Sequence, residues 1–229
     1  MKYGQFCPIA KATELLGEKW TFLILRELLM GSSRFNEIQR GLCLVSPALL
    51  TRRLKTLEEN GLLVRRKIPG QRGYEYFPTE ATQELLPILL ELGEWGLRWA
   101  KDYLTDEDYD VEFLLHYLRL SILPEKLPGN ETVLKFKFQD IEDNPDWWII
   151  VSGSDVDICI KDPGKDVDIY FTTKVKTMSQ VWMGQRTYKD AIQRNDMTIV
   201  GPSALTRNIT SWLTCSPFSK LEDQSVFAE

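Results

Sequence analysis

The chain has 229 residues, 43% of them hydrophobic, and a formal net charge of −5. This is enough apolar material for two ordinary cores, and we expect two domains, residues 1–104 and residues 105–229. No apolar stretch is long enough for a signal peptide or a membrane span, which excludes secreted and membrane-inserted classes and predicts a cytoplasmic protein. The first part carries 15 basic and 12 acidic side chains and the second 13 and 21, so only the first suits nucleic acid.

Cys7 precedes a helix that should begin at about Pro8, and among the cysteines it is the one whose position suggests redox chemistry. The amide dipoles at the start of a helix favour a thiolate, so Cys7 is a redox candidate, with plain packing in a dimer as the alternative. The other cysteines, at positions 43, 159 and 215, show no metal-ligand spacing. The expected compartment is reducing, which argues against structural disulfides.

Three helices are predicted between residues 20 and 60. Trp20–Leu29 forms the first, Ser33–Gly41 forms a shorter second one, and the third covers about residues 46–60. Ser46 can cap the free amides of the third helix, and Asn60-Gly61 supplies its left-handed exit. This third helix therefore has a marked start and a marked end.

The third helix has one apolar line and a cationic face opposite to it. Leu50, Leu54 and Leu57 fall on one line at about 100° per residue. Arg52 and Lys55 point almost the other way, which leaves their face for another molecule. The side chains of this helix that we expect at a DNA surface are Ser46, Ala48, Thr51, Arg52, Arg53 and Lys55.

A β-hairpin follows, with strands at residues 62–68 and 74–78 and a basic tip. The tip, Pro69–Gly73, contains Arg72, which joins the DNA-binding candidates. From Arg34 to Arg72 there are nine Lys or Arg residues against three Glu residues. Local positive charge on an outward helix and a hairpin is typical of proteins that bind double-stranded DNA.

Taken alone, a capped helix with arginine on its outer face is compatible with an ordinary solvated surface helix. Their order decides the interpretation, because a helix, a short helix, an outward basic helix and a hairpin follow one another as in a winged helix-turn-helix. The fold class predicted for the first domain is therefore a mostly α winged helix-turn-helix.

Several short sequence motifs in the first domain occur together in one family of regulators. They are Cys7-Pro8-Ile9-Ala10, Leu16-Gly17-Glu18-Lys19-Trp20, Ile24-Leu25-Arg26-Glu27-Leu28, Arg34-Phe35-Asn36-Glu37-Ile38, Ser46-Pro47, Leu50-Thr51-Arg52-Arg53-Leu54 and Leu57-Glu58-Glu59-Asn60-Gly61-Leu62. Residues 5–101 thereby resemble the HxlR-type bacterial transcriptional regulators. The resemblance implies a homodimer on double-stranded DNA, with the helix at about 46–60 in the major groove and the wing at about 62–78 on the backbone or minor groove. It also implies that Cys7 occupies the place at which some of these regulators sense oxidants or electrophiles.

After the hairpin, Thr79 can cap a helical stretch whose apolar residues cover more than one face. One face would suffice for packing within the domain, so the surplus predicts a second copy of the chain, with packing on the second domain as the alternative. Pro87 should either kink this helix or begin its second half. The apolar residues are Leu85, Leu86, Ile88, Leu89, Leu90, Leu92, Trp95, Leu97 and Trp99.

The second domain follows an acidic linker region, between about Lys101 and Asp110, and a helix over residues 111–120. Strands followed by helices indicate an α+β domain with a mostly antiparallel five-stranded sheet. The predicted strands cover residues 132–138, 147–151, 156–160, 167–173 and 197–200, and the predicted helices cover residues 175–183, 188–195 and 203–213.

The strand Trp147–Val151 is apolar on both faces, so it is either central and covered twice or borders an internal cavity. The order of strands and helices over about residues 111–219, with Val156-Asp157-Ile158-Cys159, Asp166-Val167-Asp168-Ile169, Trp182-Met183-Gly184 and Gly201-Pro202, resembles the sterol carrier protein type two fold. The resemblance implies a cavity for a small apolar ligand. The side chains that we expect to line it are Trp147, Trp148, Ile150, Trp182 and Trp212.

Neither domain contains a recognisable motif for catalysis, a cofactor or a metal. A glycine-rich phosphate loop and a Gly-x-Ser-x-Gly elbow are absent, and the aspartates between residues 155 and 168 lack calcium-loop spacing. We therefore expect a DNA-binding regulator that is not an enzyme and whose second domain senses an apolar ligand. The alternative keeps the DNA-binding half and makes the second domain a protein-interaction or dimer-stabilising module without a ligand.

Overall fold

The computed structural model describes residues 2–220, and the chain divides into two compact units, residues 1–93 and 94–229. The division falls after Gly93, upstream of the boundary predicted at residue 104. Residues 221–229, the end of the predicted second domain, lie outside the described residues. Within the described part, no helix combines the length and the apolar content needed to cross a membrane.

The N-terminal unit contains the helices and the hairpin that the sequence predicts. Its elements are α1 (Pro8–Leu16), α2 (Thr21–Leu29), α3 (Phe35–Arg40), α4 (Pro47–Glu59), β1 (Leu63–Lys67), β2 (Tyr74–Pro78) and α5 (Glu80–Gln83), followed by the start of α6 (Leu86–Trp99). β1 and β2 pair antiparallel, with Leu63 opposite Pro78 and Lys67 opposite Tyr74. The predicted helix-turn-helix with its wing is confirmed.

The core of this unit lies between α2, α3 and α4, because each of these helices contributes its apolar line. Ile24 from α2 and Ile38 from α3 are buried together with Leu50, Leu54 and Leu57 from α4. The leucine line that the sequence predicts for the third helix therefore fixes which side of α4 faces inward.

The wing is tied to the start of α3. Arg34 forms an isolated β-bridge with Glu75, and the Tyr76 amide donates a hydrogen bond to the Ser33 carbonyl oxygen at 2.8 Å. The Arg34 guanidinium also lies 3.8 Å from the Glu75 carboxylate. These contacts hold the hairpin beside the helix-turn-helix.

α6 begins at Leu86, and α5 ends at Gln83. Pro87 takes the second position of α6, in the first turn, where the amide that proline lacks has no partner within the helix. Of the two alternatives predicted for Pro87, a kink and a new start, the structure has the new start.

The second unit is built on a five-stranded sheet with helices, as the α+β prediction requires. Its strands are β3 (Glu131–Phe138), β4 (Asp146–Ser152), β5 (Asp155–Cys159), β6 (Ile169–Thr173) and β7 (Met197–Val200), and its helices are α7 (Val111–Ser121), α8 (Val175–Trp182), α9 (Tyr188–Gln193), α10 (Ser203–Thr206) and α11 (Ile209–Trp212). The strand order is β5-β4-β3-β6-β7, so β4 has a neighbour on each side.

The sheet is mixed, which corrects the prediction of a mostly antiparallel sheet. β3 pairs with β6 in parallel, with Leu134 opposite Ile169, while the other neighbouring strands are antiparallel. The cause is the connection of residues 160–168, which carries the chain from β5 past β4 and β3 before β6 begins. Alternation within a strand reports which face is buried and carries no information on the direction of a neighbouring strand.

The core of this unit lies on one face of the sheet. Phe136 is the register partner of both Trp147 and Phe171, and all three side chains are buried. The rings of Phe136 and Phe171 stack with their centroids 4.6 Å apart. Trp212 of α11 belongs to the same buried cluster, so sheet and helices share one apolar core.

Candidate nucleic-acid interface

α4 is held so that one of its faces is buried and the other is open. Leu50, Leu54 and Leu57 lie in the core, and the Leu49 amide donates a hydrogen bond to Ser46 Oγ at 3.3 Å, which caps the first turn. The exposed residues of the capping position and the open face are Ser46, Ala48, Thr51, Arg52 and Lys55.

Arg52 and Lys55 carry the positive charge of this open face. Arg52 is exposed, and Lys55 Nζ lies 3.6 Å from the Glu59 carboxylate one turn further on. An ion pair between exposed side chains contributes little free energy, so Lys55 can leave Glu59 for another anion at small cost. The face is therefore suited to a polyanionic partner.

Arg53 is the exception among the α4 residues that the sequence assigns to this surface. Its guanidinium forms an ion pair with Glu18, which follows α1, and only 16% of the Arg53 side chain is exposed. Position 53 is three residues after Leu50 and four before Leu57, so helical geometry places it beside the apolar line. In this structure the Arg53 side chain joins α4 to the end of α1, and its contact with DNA stays a prediction.

The wing adds two cations that the charge count included but that were not predicted as site residues. The Arg65 guanidinium lies 4.4 Å from the centre of the Tyr74 ring, and that of Arg66 lies 5.0 Å from the Phe77 ring. Both are diagonal pairs across the two strands, and such ring contacts restrain a cation without neutralising it. Arg65 also forms an ion pair with Glu58 of α4, with Nε 3.5 Å from the carboxylate. The signal in the sequence was the pair of consecutive arginines on one strand and the aromatic residues on the other.

Arg72 lies at the exposed tip of the wing, as the sequence predicts. Further along β2, burial raises the pKa of the Tyr76 phenol. A tyrosine is uncharged at physiological pH already at its ordinary pKa, so Tyr76 adds no charge to the wing.

Residues 15–103 match the HxlR-like helix-turn-helix family. The chain is also 39% identical over 108 residues to the HTH-type transcriptional regulator YvaP of Bacillus subtilis, a match that covers 46% of this chain and 100% of the relative. The chain belongs to the HxlR-like helix-turn-helix family. A second B. subtilis regulator, YkvN, is 32% identical over 108 residues, which cover 46% of this chain and 90% of YkvN. Among solved structures, the reduced form of the transcriptional regulator YodB from B. subtilis is 32% identical, with a TM-score of 0.37, over 42% of this chain and 95% of YodB.

Membership of the HxlR-like family makes the chain a DNA-binding transcriptional regulator. Both B. subtilis relatives are named as HTH-type transcriptional regulators. The family match ends at residue 103, so the relation concerns the N-terminal part and does not extend to the second domain.

The predicted pocket residues of this HxlR-like chain lie on different sides of the C-terminal sheet. Trp147 belongs to the core, whereas the next residue, Trp148, points to the opposite face, where Lys135 Nζ lies 4.9 Å from its ring. Both tryptophans are only 5% exposed. Ile150 shares the face of Trp148, so β4 is covered on both sides.

The indoles of Trp182 and Trp212 make hydrogen bonds within the second unit. Trp182 Nε1 donates to Ser121 Oγ at 2.9 Å, and Trp212 Nε1 donates to the Leu205 carbonyl oxygen at 3.1 Å. The structure thus does not bring the five predicted side chains around one space. An apolar groove of about 320 Å³ beside α9 and α11 is lined by other residues, among them Ile192 and Ile209.

Cys7 lies directly before α1, as the sequence predicts, and its side chain is half-buried. Its carbonyl oxygen accepts a hydrogen bond from the Lys11 amide at 3.1 Å. All four cysteines are described, and none of them forms a disulfide bond. This position agrees with a redox role and with packing, so both stay predictions. Within residues 2–220, no group of three or more His, Cys, Asp or Glu side chains is arranged to hold a metal ion.

Proposed function

We propose that the chain is a homodimeric transcription factor in which α4 of each copy enters the major groove of a roughly palindromic DNA site. The observation that carries the proposal is the open cationic face of α4 opposite its buried leucines. The first residues of a recognition helix reach base edges, and cations further along reach phosphates. The proposed contacts of the helix are Ser46, Ala48, Thr51, Arg52 and Lys55.

The wing contacts the DNA backbone beside that groove. Arg72 at the tip and Arg66 on β1 are exposed, and contacts of this kind set affinity and salt dependence rather than sequence preference. Residues 1–104 together form the DNA-binding and dimerisation domain, a boundary that is supported by the end of the family match at residue 103.

Dimerisation uses one stripe of α6. Ile88, Leu92, Trp95 and Trp99 recur at spacings of four, three and four residues, and all four are exposed in the single chain. Leu89, between them in sequence, packs instead against the core of the N-terminal unit. A continuous exposed apolar stripe is typical of a protein interface, and two copies on one DNA site compensate for the small contact of a single winged helix. We call these four residues the α6 stripe.

The proposal is tested by Arg52→Ala on duplexes that the wild-type chain enriches from a random DNA library. The free energy of binding should weaken by about 1–3 kcal/mol, with a flatter sequence preference, because a base-edge contact is lost. Arg207→Ala is the matched control, since it removes the same charge from an exposed position of the second domain. Equal affinities of wild type and Arg52→Ala in these titrations would contradict the placement of α4 in the major groove.

For the second domain, residues 105–229, the proposed role is a protein-interaction or dimer-stabilising module. The support is that Trp147 and Trp212 fill the core and that the Trp182 indole is engaged by Ser121. Since the relatives are named regulators, the chain as a whole is inferred to act as a regulator and not as an enzyme.

The second candidate for this domain is a sensor of a small apolar ligand, in line with the sterol-carrier-like order of its strands and helices. The apolar groove beside α9 and α11 is the observation that favours it. A ligand present at about one hundred times its dissociation constant should stabilise the full chain by about 2.7 kcal/mol. Thermal unfolding with fatty acids, sterols and aromatic metabolites separates the candidates, because a sensor needs a stabilising ligand that also changes DNA affinity.

Cys7 is a proposed redox residue with dimer packing as its alternative. A sensing thiol makes DNA binding respond to diamide in the wild type and not in Cys7→Ser. Equal responses of the two proteins would assign Cys7 to packing.

A further inference from the structure

Leu44 is a large apolar side chain at the entrance to the recognition helix, and 89% of its surface is exposed. It lies in the turn between α3 and α4, two residues before the capping residue Ser46. A single exposed leucine is ordinary on a protein surface. The informative features of Leu44 are its position at the DNA-facing end of α4 and the way in which the backbone presents it.

The turn that carries Leu44 is anchored on both sides. Leu42 and Val45 are buried in the N-terminal core, and the Leu42 amide donates a hydrogen bond to the Gln39 carbonyl oxygen at 3.1 Å. Cys43 has a φ of 43°, a conformation that few residues other than glycine adopt and that turns the chain sharply. Because the backbone is fixed, covering Leu44 costs side-chain rotamer freedom but little backbone freedom.

The DNA complex of the proposed function, on which this inference rests, brings the start of α4 to the base edges of the major groove. Among the four bases, thymine presents an apolar group there, its 5-methyl group, while the remaining edges are hydrogen-bond donors and acceptors. A leucine against those polar edges would remove them from water without a partner. The methyl group of thymine is the surface that fits this side chain.

We propose that Leu44 determines part of the sequence specificity by packing against the 5-methyl group of a thymine in each half-site. At that position the protein then favours a T·A pair. The contact is apolar, so it adds specificity without adding to the salt dependence that the cations of α4 and the wing produce.

The test uses the full-length chain and a duplex that the wild type enriches from a random library. Each thymine is replaced in turn by deoxyuridine, which removes the methyl group and keeps every base-pairing group. At one position per half-site, wild-type binding should weaken about fourfold, the effect of one buried carbon group of about 0.8 kcal/mol. Leu44→Ala should bind the thymine and uracil duplexes of that position equally.

Two further variants separate this contact from other effects. Leu44→Met keeps an apolar side chain of similar reach and should keep the uracil sensitivity, and Leu23→Ala removes an exposed leucine from α2 and should leave it unchanged. Leu44→Ala should also keep the oligomeric state and the melting temperature of the wild type. Uracil sensitivity that persists in Leu44→Ala, or a dimer that dissociates in it, would overturn the assignment. A wild type that enriches no duplex overturns the proposed function itself, and this inference with it.

Discussion

α6 and β4 share one sequence feature and use it in opposite ways. Both carry apolar side chains on more than one face. In α6 the surplus is exposed, with Trp95 at 57% and Trp99 at 70% of their surface, whereas in β4 the adjacent Trp147 and Trp148 are each 5% exposed. The same pattern therefore marks an open surface in one region and a doubly covered strand in the other.

The difference comes from what each element has for neighbours. β4 lies between β3 and β5, so its own domain covers Trp147 with the core and places the Lys135 side chain over Trp148. α6 packs Leu89 against the N-terminal core and leaves the α6 stripe open. A surplus apolar face on a helix that packs on its own domain with one face only thus points to a second chain. On an inner strand the same surplus means that the domain itself covers both faces of the sheet.

The largest effect that tests this comparison is expected from Trp147→Ala. The substitution removes a buried ring that Phe136 and the rest of the core cannot replace, and it should lower the free energy of unfolding by about 3–5 kcal/mol. Urea denaturation followed by circular dichroism measures the loss. Tyr170→Ala, which removes a partly exposed ring from β6, is the control with a smaller expected loss. Similar losses in both variants would contradict the distinction between the two faces of the sheet.

An effect of intermediate size is expected from Trp95→Glu in the α6 stripe. A charge at the centre of the proposed interface should weaken the dimer by about 2 kcal/mol or more, roughly thirtyfold in dissociation constant. Trp95→Phe keeps an aromatic side chain and should keep most of the affinity. Sedimentation equilibrium distinguishes them, and a Trp95→Glu chain that remains dimeric at wild-type concentrations would move the interface away from α6.

The smallest expected change in stability concerns Lys135, whose side chain covers the face of β4 opposite the core. Lys135 Nζ lies 4.9 Å from the centre of the Trp148 ring and 3.1 Å from the Asp146 carboxylate, so Lys135→Met keeps the aliphatic cover and removes both charge contacts. The expected loss of unfolding free energy is about 1 kcal/mol. Lys137→Met removes an exposed lysine from the same strand and should change stability less. Equal results for both would mean that the Lys135 charge does not stabilise Trp148.

The elements that could be predicted from the sequence are those with local chemical signals. Ser46 and Asn60-Gly61 bound a helix predicted at about residues 46–60, and α4 covers Pro47–Glu59. The place of Arg53 beside the apolar line follows from its spacing of three residues from Leu50 and four from Leu57, whereas Arg52 lies opposite that line. The ion pair with Glu18 could not be foreseen, since it joins residues that are distant in sequence.

Longer-range features of the second domain were not predicted, because they too depend on contacts between residues that are distant in sequence. The parallel pairing of β3 with β6 depends on the path of residues 160–168. The periodicity of apolar residues within a strand does not predict this path. The helix predicted over residues 203–213 is two helices, α10 and α11, because Asn208 Nδ2 donates a hydrogen bond to the Ala204 carbonyl oxygen at 3.2 Å and offers the backbone an alternative to continuous helix. The predicted pocket grouped tryptophans by residue type, and type does not specify which face a side chain occupies.

The ion pair between Arg53 and Glu18 connects α4 to the end of α1. Glu18 follows α1, which exposes Ile9 and begins beside Cys7, while Arg53 belongs to the helix proposed to enter the groove. We expect an assembly or chemical event at α1 to act on α4 through this contact. Coupling between two binding steps is reciprocal, so in the proposed dimer any factor by which pairing of two chains tightens DNA binding is also the factor by which DNA tightens the pairing.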